Sequence, residues 1–384
     1  MLNSLLTVIA SLLLLSAVKA QPQKPQMRIG EVEYFGTKGV DVQKVKTDLP
    51  IHEGEELSFD AVPDLISRGK ASVRASIGRE PTDLGPVCCD AHDKWIFYIG
   101  LPGRNVEVIR HNPQPKGATS FPPEVLTLYS QVMDLIGESV HTQAIEDRSQ
   151  GYALSAYPPL RAKQLAMRDY ATRHAALIRR VLNKSADPSQ RSVAAQLMGY
   201  AIHNQAQILA LVQASRDADE TVRNNAIRAL GVLAESRPSI AKQIPATGFV
   251  ALLNSGVWTD RNKGGLLIEA LTRTRDQKLL RLVSRRASDS LLEMAQWREF
   301  GHAQGARLIL GRIAGIDEER LQRLAHDDPN AIIKAFASSQ EEQDRYDLFD
   351  LLANYLASDP LPKVWNLKLF LVPAEGFEPT LSSF

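Results

Sequence analysis

The sequence predicts an α+β N-terminal domain followed by an all-α helical-repeat solenoid. Three observations carry that reading. Arg191-x-x-Ala194-x-x-x-Met198-Gly199 returns 32 residues later as Arg223-x-x-Ala226-x-x-x-Leu230-Gly231, and looser copies centre on Leu266 to Ala270 and on Ala306 to Leu310-Gly311, each a further 40 residues on. That period belongs to stacked helical pairs, in which each unit buries its apolar face against its neighbours. Residues 28–103, by contrast, mix short β-rich runs with two stretches of helical spacing. A segment at 104–122, holding Pro113, Pro115 and Pro122 with glycines nearby, divides the two patterns and reads as a linker.

At the N-terminus, Leu5 to Val18 is an apolar run interrupted only by Thr7, Ser11 and Ser16, and Val18-Lys19-Ala20 leads into a polar stretch. Residues 1–20 therefore read as a secretory signal peptide cleaved after Ala20, which predicts a secreted or periplasmic protein. The run is shorter than the roughly 20 residues of a bilayer span, which places an uncleaved anchor second. No other segment approaches that length, so no stable membrane insertion is expected after cleavage. Residues 21–27 are Pro/Gln-rich and read as a flexible lead-in.

Within 28–103, Ile29, Val32 and Tyr34 alternate loosely with polar residues up to Gly36, as a strand would. Val42, Val45 and Leu49 follow at helical spacing, and a second helix opens near Phe59 and runs to about Ile77. Val87-Cys88-Cys89 and Trp95 to Ile99 are β-rich and are joined by Asp90-Ala91-His92-Asp93-Lys94, which suits a hairpin loop. The order is β-α-α-β-β. If the adjacent cysteines lie on a strand, their side chains point to opposite faces. Two separate thiols, one of them buried, are the expectation, and no disulfide framework is present.

That order, with Val32-Glu33-Tyr34-Phe35-Gly36 closing the first strand, Leu49 and Gly54 before the next element, and Trp95 to Gly100 running into Leu101-Pro102-Gly103, resembles the POTRA domain over about 75 residues. The resemblance implies an exported module that offers strand edges to extended peptides. Its usual setting is ahead of an outer-membrane barrel, and no run of alternating strands follows here.

From residue 123 to 359 the pattern is helical. Val125, Leu128, Val132, Leu135 and Ile136 share one face, and a long basic helix spans Leu160 to Asn183. Asp187-Pro188 and Asp328-Pro329 are N-caps followed by proline at the first helical position. In each repeat, Ala194 or Ala226 lets a neighbouring helix approach, Met198 or Leu230 fills the space four residues on, and Gly199 or Gly231 ends the contact. Arg191 and Arg223 stand four residues after the caps Asp187 and Asp219. Each is expected to reach its own Asp or that of the adjacent repeat, in exposed pairs adding only about 0.2–1 kcal/mol apiece. Lys263 and Ala303 stand in the arginine's place in the later units.

Asp219-x-x-Val222-Arg223-x-x-Ala226-x-x-Ala229-Leu230-Gly231 resembles the HEAT repeat, including its short variety in phycobilisome-lyase-like proteins, and the likeness spans about 185–315. It implies a scaffold that recognises protein partners through an extended surface. Bilin chemistry belongs to some relatives of the short variety, but no cysteine stands on these repeats to carry it over, and no cofactor is expected.

The net charge of +1 argues against nucleic acid as a partner. Residues 160–184 carry seven basic side chains against Asp169, whereas 316–359 carry eleven acids against four bases; solvated helix faces account for most of this. Within 160–184, Leu165, Ala166, Leu177, Ile178, Val181 and Leu182 read as core. His92, between Asp90 and Asp93, lacks the converging ligands of a metal site. Nucleophile elbow, zincin helix, phosphate loop and dinucleotide fingerprint are all missing from the sequence, so no enzyme is expected. The leading expectation is an exported, non-enzymatic scaffold that binds a protein. An envelope-assembly accessory acting by β-augmentation comes second, and a hydrolase whose residues are gathered only by folding comes third. Residues 360–384, with Pro360, Pro362, Pro373 and Pro379, read as an irregular tail.

Overall fold

The computed structural model describes residues 26–358 apart from 141 and 143. The signal peptide expected at 1–20, the lead-in up to residue 25 and the tail 360–384 lie outside the described residues. No described helix is long and apolar enough to cross a membrane. The protein divides into two compact units, with the boundary between Phe336 and Ala337.

The N-terminal part is built from β1 (Gln26–Phe35), α1 (Val42–Asp48), a short β2 (Glu56–Ser58), α2 (Val62–Ile77), β3 (Asp83–Val87) and β4 (Trp95–Gly100). The sheet order is β2-β1-β4-β3, with β1 and β4 parallel and the outer pairs antiparallel. Strand β2 is an element the periodicity did not predict, since three residues leave no pattern to read.

Both faces of this sheet are covered. Met27, Ile29, Phe97 and Ile99 pack with Val45, Leu49, Leu65 and Val73, while Phe35, Ile96 and Tyr98 belong to the core of the helical region. Burial on both sides explains why Trp95 to Ile99 is an unbroken apolar run. In β1 the register slips between Ile29 and Glu31, and that bulge turns Phe35 to the opposite face from Ile29.

The cysteine region differs from the sequence expectation in two ways. Strand β3 is Asp83–Val87, so the cysteine pair falls in the following loop and strand alternation does not govern it. Cys88 and Cys89 are joined in a vicinal disulfide rather than held as separate thiols, and neither is buried. The loop itself is an Asp90 turn: Asp90 Oδ1 accepts from the backbone N–H of His92 (2.8 Å) and of Lys94 (2.9 Å), which leaves His92 a turn residue.

The helical region runs α3 (Pro123–Val140), a small ribbon of β5 (Glu146–Asp147) and β6 (Leu154–Ser155), then α4 (Pro158–Lys184), α5 (Pro188–Met198), α6 (Gln205–Ala214) and α7 (Glu220–Ser236). It continues through α8 (Pro238–Ala241), α9 (Ala246–Val250), α10 (Trp258–Thr272), α11 (Gln277–Ala295), α12 (Phe300–Ile313), α13 (Glu318–Asp327) and α14 (Pro329–Ser358). Helices α5, α7, α10 and α12 lie side by side as one layer, each touching the next. In α4 the buried positions include Met167, Ala171, Ile178, Val181 and Leu182; Leu165 and Ala166, expected in the core, are exposed.

Residues 104–122 are irregular, yet they are bound along their length. Glu107 N–H donates to Asn254 O (2.8 Å), Asn112 N–H to Arg216 O (2.6 Å) and Gly117 N–H to Lys184 O (2.8 Å), and Gly117 O accepts from Ala186 N–H (2.7 Å). The segment is a strap across the loops that precede α10, α7 and α5. Backbone groups that a free linker would leave to water are satisfied by the helical stack instead.

Candidate functional site

The motif residues occupy the interior of the α5, α7, α10, α12 layer. Asp187 caps α5 by accepting from Ser189 N–H, and Asp219 caps α7 by accepting from Val222 N–H (3.0 Å). Ala194, Met198, Ala226, Leu230, Ala306 and Leu310 are all fully buried. A Cβ on Gly199 would sit 3.0 Å from Ala229 Cβ and one on Gly231 3.2 Å from Leu266; one on Gly311 would overlap the Leu321 side chain. The helices therefore meet where these glycines stand.

The arginines depart from expectation. Because Asp187 and Asp219 are committed as caps, Arg191 pairs instead with Asp217 (Nε to Oδ2 2.8 Å, Nη2 to Oδ1 2.8 Å) and Arg223 with Asp260 (2.9 and 3.2 Å). Each arginine also donates to the loop entering its own helix: Arg191 Nη1 to Ser185 O and Ala186 O, Arg223 Nη1 to Asp217 O and Ala218 O. The pairs are not exposed; Arg191 and Arg223 are 1% and 3% accessible and Asp260 1%.

The series extends to Arg261, which donates to Ser255 O (2.6 Å) and to Glu293 (2.9 Å). Arg261 lies four residues after the cap position Val257, so it and not Lys263 holds the arginine's place. Val257 has no capping side chain. Asp83 of β3 accepts from Trp258 N–H (2.8 Å) in its stead. Ala303 does stand four residues after its cap, Glu299, which accepts from Gly301 N–H.

Glu293 joins the sheet to the helical layer, accepting from Gly36 N–H (2.9 Å), Thr37 N–H (2.7 Å) and Thr37 Oγ1 (2.6 Å) as well as from Arg261. Gly36 has φ +67°, a left-handed conformation that suits glycine, and its added Cβ would overlap Leu101 O. Around this junction Tyr98 packs against Trp258 and Trp297, and Arg261 lies over the Phe35 ring at 4.9 Å.

Lys263, displaced from the arginine series, faces a cavity of about 510 Å³ between α7, α10 and α12. Gly265 and Gly305 line it and bring α10 and α12 together, since a Cβ on Gly305 would lie 3.6 Å from the Gly265 backbone. A ribbon of ion pairs forms one wall. Glu146 accepts from Arg148 (2.7 Å) and Arg228, Glu235 from Arg148 (3.2 Å) and Arg273 (3.4 Å), and Glu269 from Arg273 (3.1 Å) and the buried Arg312 (2.9 Å). These pairs hold Glu146 below its usual range against the cost of its burial.

Lys263 makes no hydrogen bond or ion pair with any described residue, and neither do the side-chain amides of Asn262 and Gln304 beside it. Burial, then Arg228 and Arg148, press its ammonium down to about 8, with Glu146 opposing. Across the cavity His302 Nδ1 is 2.7 Å from Tyr98 Oη. Burial and then Lys263 lower His302 to about 4, so the ring is neutral at pH 7. Burial raises the phenol of Tyr98, so phenol and imidazole are both neutral at pH 7 and share one hydrogen bond, whose donor is set by the imidazole tautomer. Lysine, two amides and a neutral imidazole thus line one polar space, the lysine and the amides without hydrogen-bond partners among the described residues.

Periodicity missed this site because its members come from three helices and the β5 segment, with no shared spacing. The one available signal was Lys263 itself, a lysine two residues past the position that holds the buried arginine. Among the described residues no group of three or more His, Cys, Asp or Glu side chains is placed to hold a metal ion. Compared with known families and with curated proteins, the sequence matches no family model and no curated protein.

Proposed function

We propose that this protein is a non-enzymatic protein-binding scaffold, exported through residues 1–20, in which a POTRA-like domain is docked on a HEAT-like solenoid. The observation that carries the reading is the polar cavity on the α7, α10, α12 layer, whose free donors sit on a rigid, ion-paired frame. A frame held by Arg–carboxylate pairs loses little side-chain entropy when a partner docks, which supports recognition there. The described lining of the cavity holds no serine or cysteine, and its imidazole is already engaged by Tyr98.

Binding by strand addition is the weaker reading. At the β3 edge Pro86 lacks an N–H donor, and Asp83 is committed to capping α10. The test is site-specific photo-cross-linking in the native host, with the cross-linker at Gln304 on the cavity or at Leu209 on the exposed side of α6. Protein adducts from Gln304 and not from Leu209 are expected. Adducts from neither position, together with turnover of an ester or peptide by the purified protein, would reverse the assignment.

A further inference from the structure

We infer that the cavity between α7, α10 and α12 is a site for one carboxylate carried by an extended peptide, with Lys263 as its counter-ion. This rests on the protein-binding reading above and names what that surface recognises.

The charges on the lining match a single carboxylate. Arg148, Arg228 and Arg273 already face Glu146, Glu235 and Glu269 within the wall. Lys263 is the lining cation that makes no ion pair with a carboxylate of the described residues, Glu146 acting on it only from beyond contact. Arg228 and Arg148 lie close enough to repel its ammonium. A single negative charge placed beside Lys263 relieves that repulsion and satisfies the open charge. A phosphate dianion would need a second free cation, and the described lining offers none.

The neutral donors fit the same ligand. The side-chain amides of Asn262 and Gln304 offer hydrogen bonds to carboxylate oxygens or to a peptide carbonyl, without adding charge. The volume of about 510 Å³ exceeds what a lone carboxylate fills and falls within the range of sites that enclose several connected groups. The carboxylate has two sources, the C-terminus of a peptide or an acidic side chain within it, and both present the same two oxygens.

Titration calorimetry of the full-length protein separates these cases. The probes are N-acetyl-pentaalanine with a free C-terminus, its C-terminal amide, an amidated pentapeptide with glutamate at its centre, and inorganic phosphate. At least one carboxylate peptide is expected to bind about tenfold or more tightly than the uncharged amide, and which one does so identifies the source. Lys263→Gln is expected to remove that preference and Lys263→Arg to keep it to within about threefold. Equal binding of the carboxylate and amide peptides by the unmodified protein overturns the inference, whether or not the variants fold. Tighter binding of phosphate than of either carboxylate peptide also overturns it, as does a folded Lys263→Gln protein that keeps the preference. Gln304 adducts with a protein, in the absence of any carboxylate preference, would leave the scaffold reading standing and remove this one alone.

Discussion

Replacing Arg223 with alanine distinguishes a buried interlock from a surface ornament. The side chain is 3% accessible and makes four hydrogen bonds, two to Asp260 and one each to Asp217 O and Ala218 O. Its loss strands the Asp260 carboxylate, itself 1% accessible, with Ser255 Oγ at 3.0 Å as its remaining side-chain donor. Breaking a buried pair by removing one partner costs about 3–5 kcal/mol, whereas an exposed pair of the kind the sequence suggested contributes about 0.2–1 kcal/mol. With a urea m-value of about 3 kcal/mol/M, the unfolding midpoint should fall by roughly 1–2 M. Arg223→Met combined with Asp260→Leu removes both charges and should recover most of the loss, because the larger part of the cost is the abandoned carboxylate. A single variant that loses less than about 1 kcal/mol, or a double variant no better than the single, refutes the burial argument.

Four further outcomes follow from the same geometry. Glu293→Gln should loosen the N-terminal sheet from the helical layer, seen as faster amide exchange at Gly36 and Thr37, because the charged acceptor of Arg261 and of both amides is weakened. His302, held at about 4 against an ordinary 6.5, contributes stability that is complete above about pH 6.5 and lost as pH falls toward 4, since the unfolded protein takes up the proton first; His302→Gln should flatten the midpoint-versus-pH curve across that window. Glu318, lowered to about 2 by its hydrogen bond from Arg312, contributes stability above about 4.5 that disappears as pH falls through 2. Its carboxylate is 44% accessible, so solvent screening keeps the effect of Glu318→Gln below that of Arg223→Ala when both are unfolded in urea at pH 7. Gly117→Ala puts a Cβ 2.5 Å from Lys184 O and should lift the strap, raising the rate of tryptic cleavage at Arg110 and Lys116.

Local chemistry made several features readable. Asp187 and Asp219 were legible as caps because the capping contact is made within three residues, and both caps form. Ala194, Met198, Ala226 and Leu230 were legible as core because helical spacing alone puts them on one face. The expected pairing of Arg191 and Arg223 failed for a related reason: the nearby aspartates were already used as caps, and the acids that replaced them, Asp217 and Asp260, lie 26 and 37 residues further along the sequence. Arg261 escaped notice because the acceptor that caps its helix, Asp83, stands 175 residues away on a strand.

By itself, then, the amino-acid order determined a small β-rich beginning, helices thereafter, and the small and large apolar residues along which those helices meet. These follow from backbone propensity and from periodicity, both of which act over one or two helical turns. Folding in three dimensions decided which acid each buried arginine found, that residues 104–122 lie bound across the loops, that Glu293 holds the sheet to the helices, and that Lys263 faces a cavity with no ion-pair partner among the described residues. Those outcomes depend on which groups remain uncommitted once the local contacts are made, and competition among distant charges for the same partners leaves no trace in residue spacing.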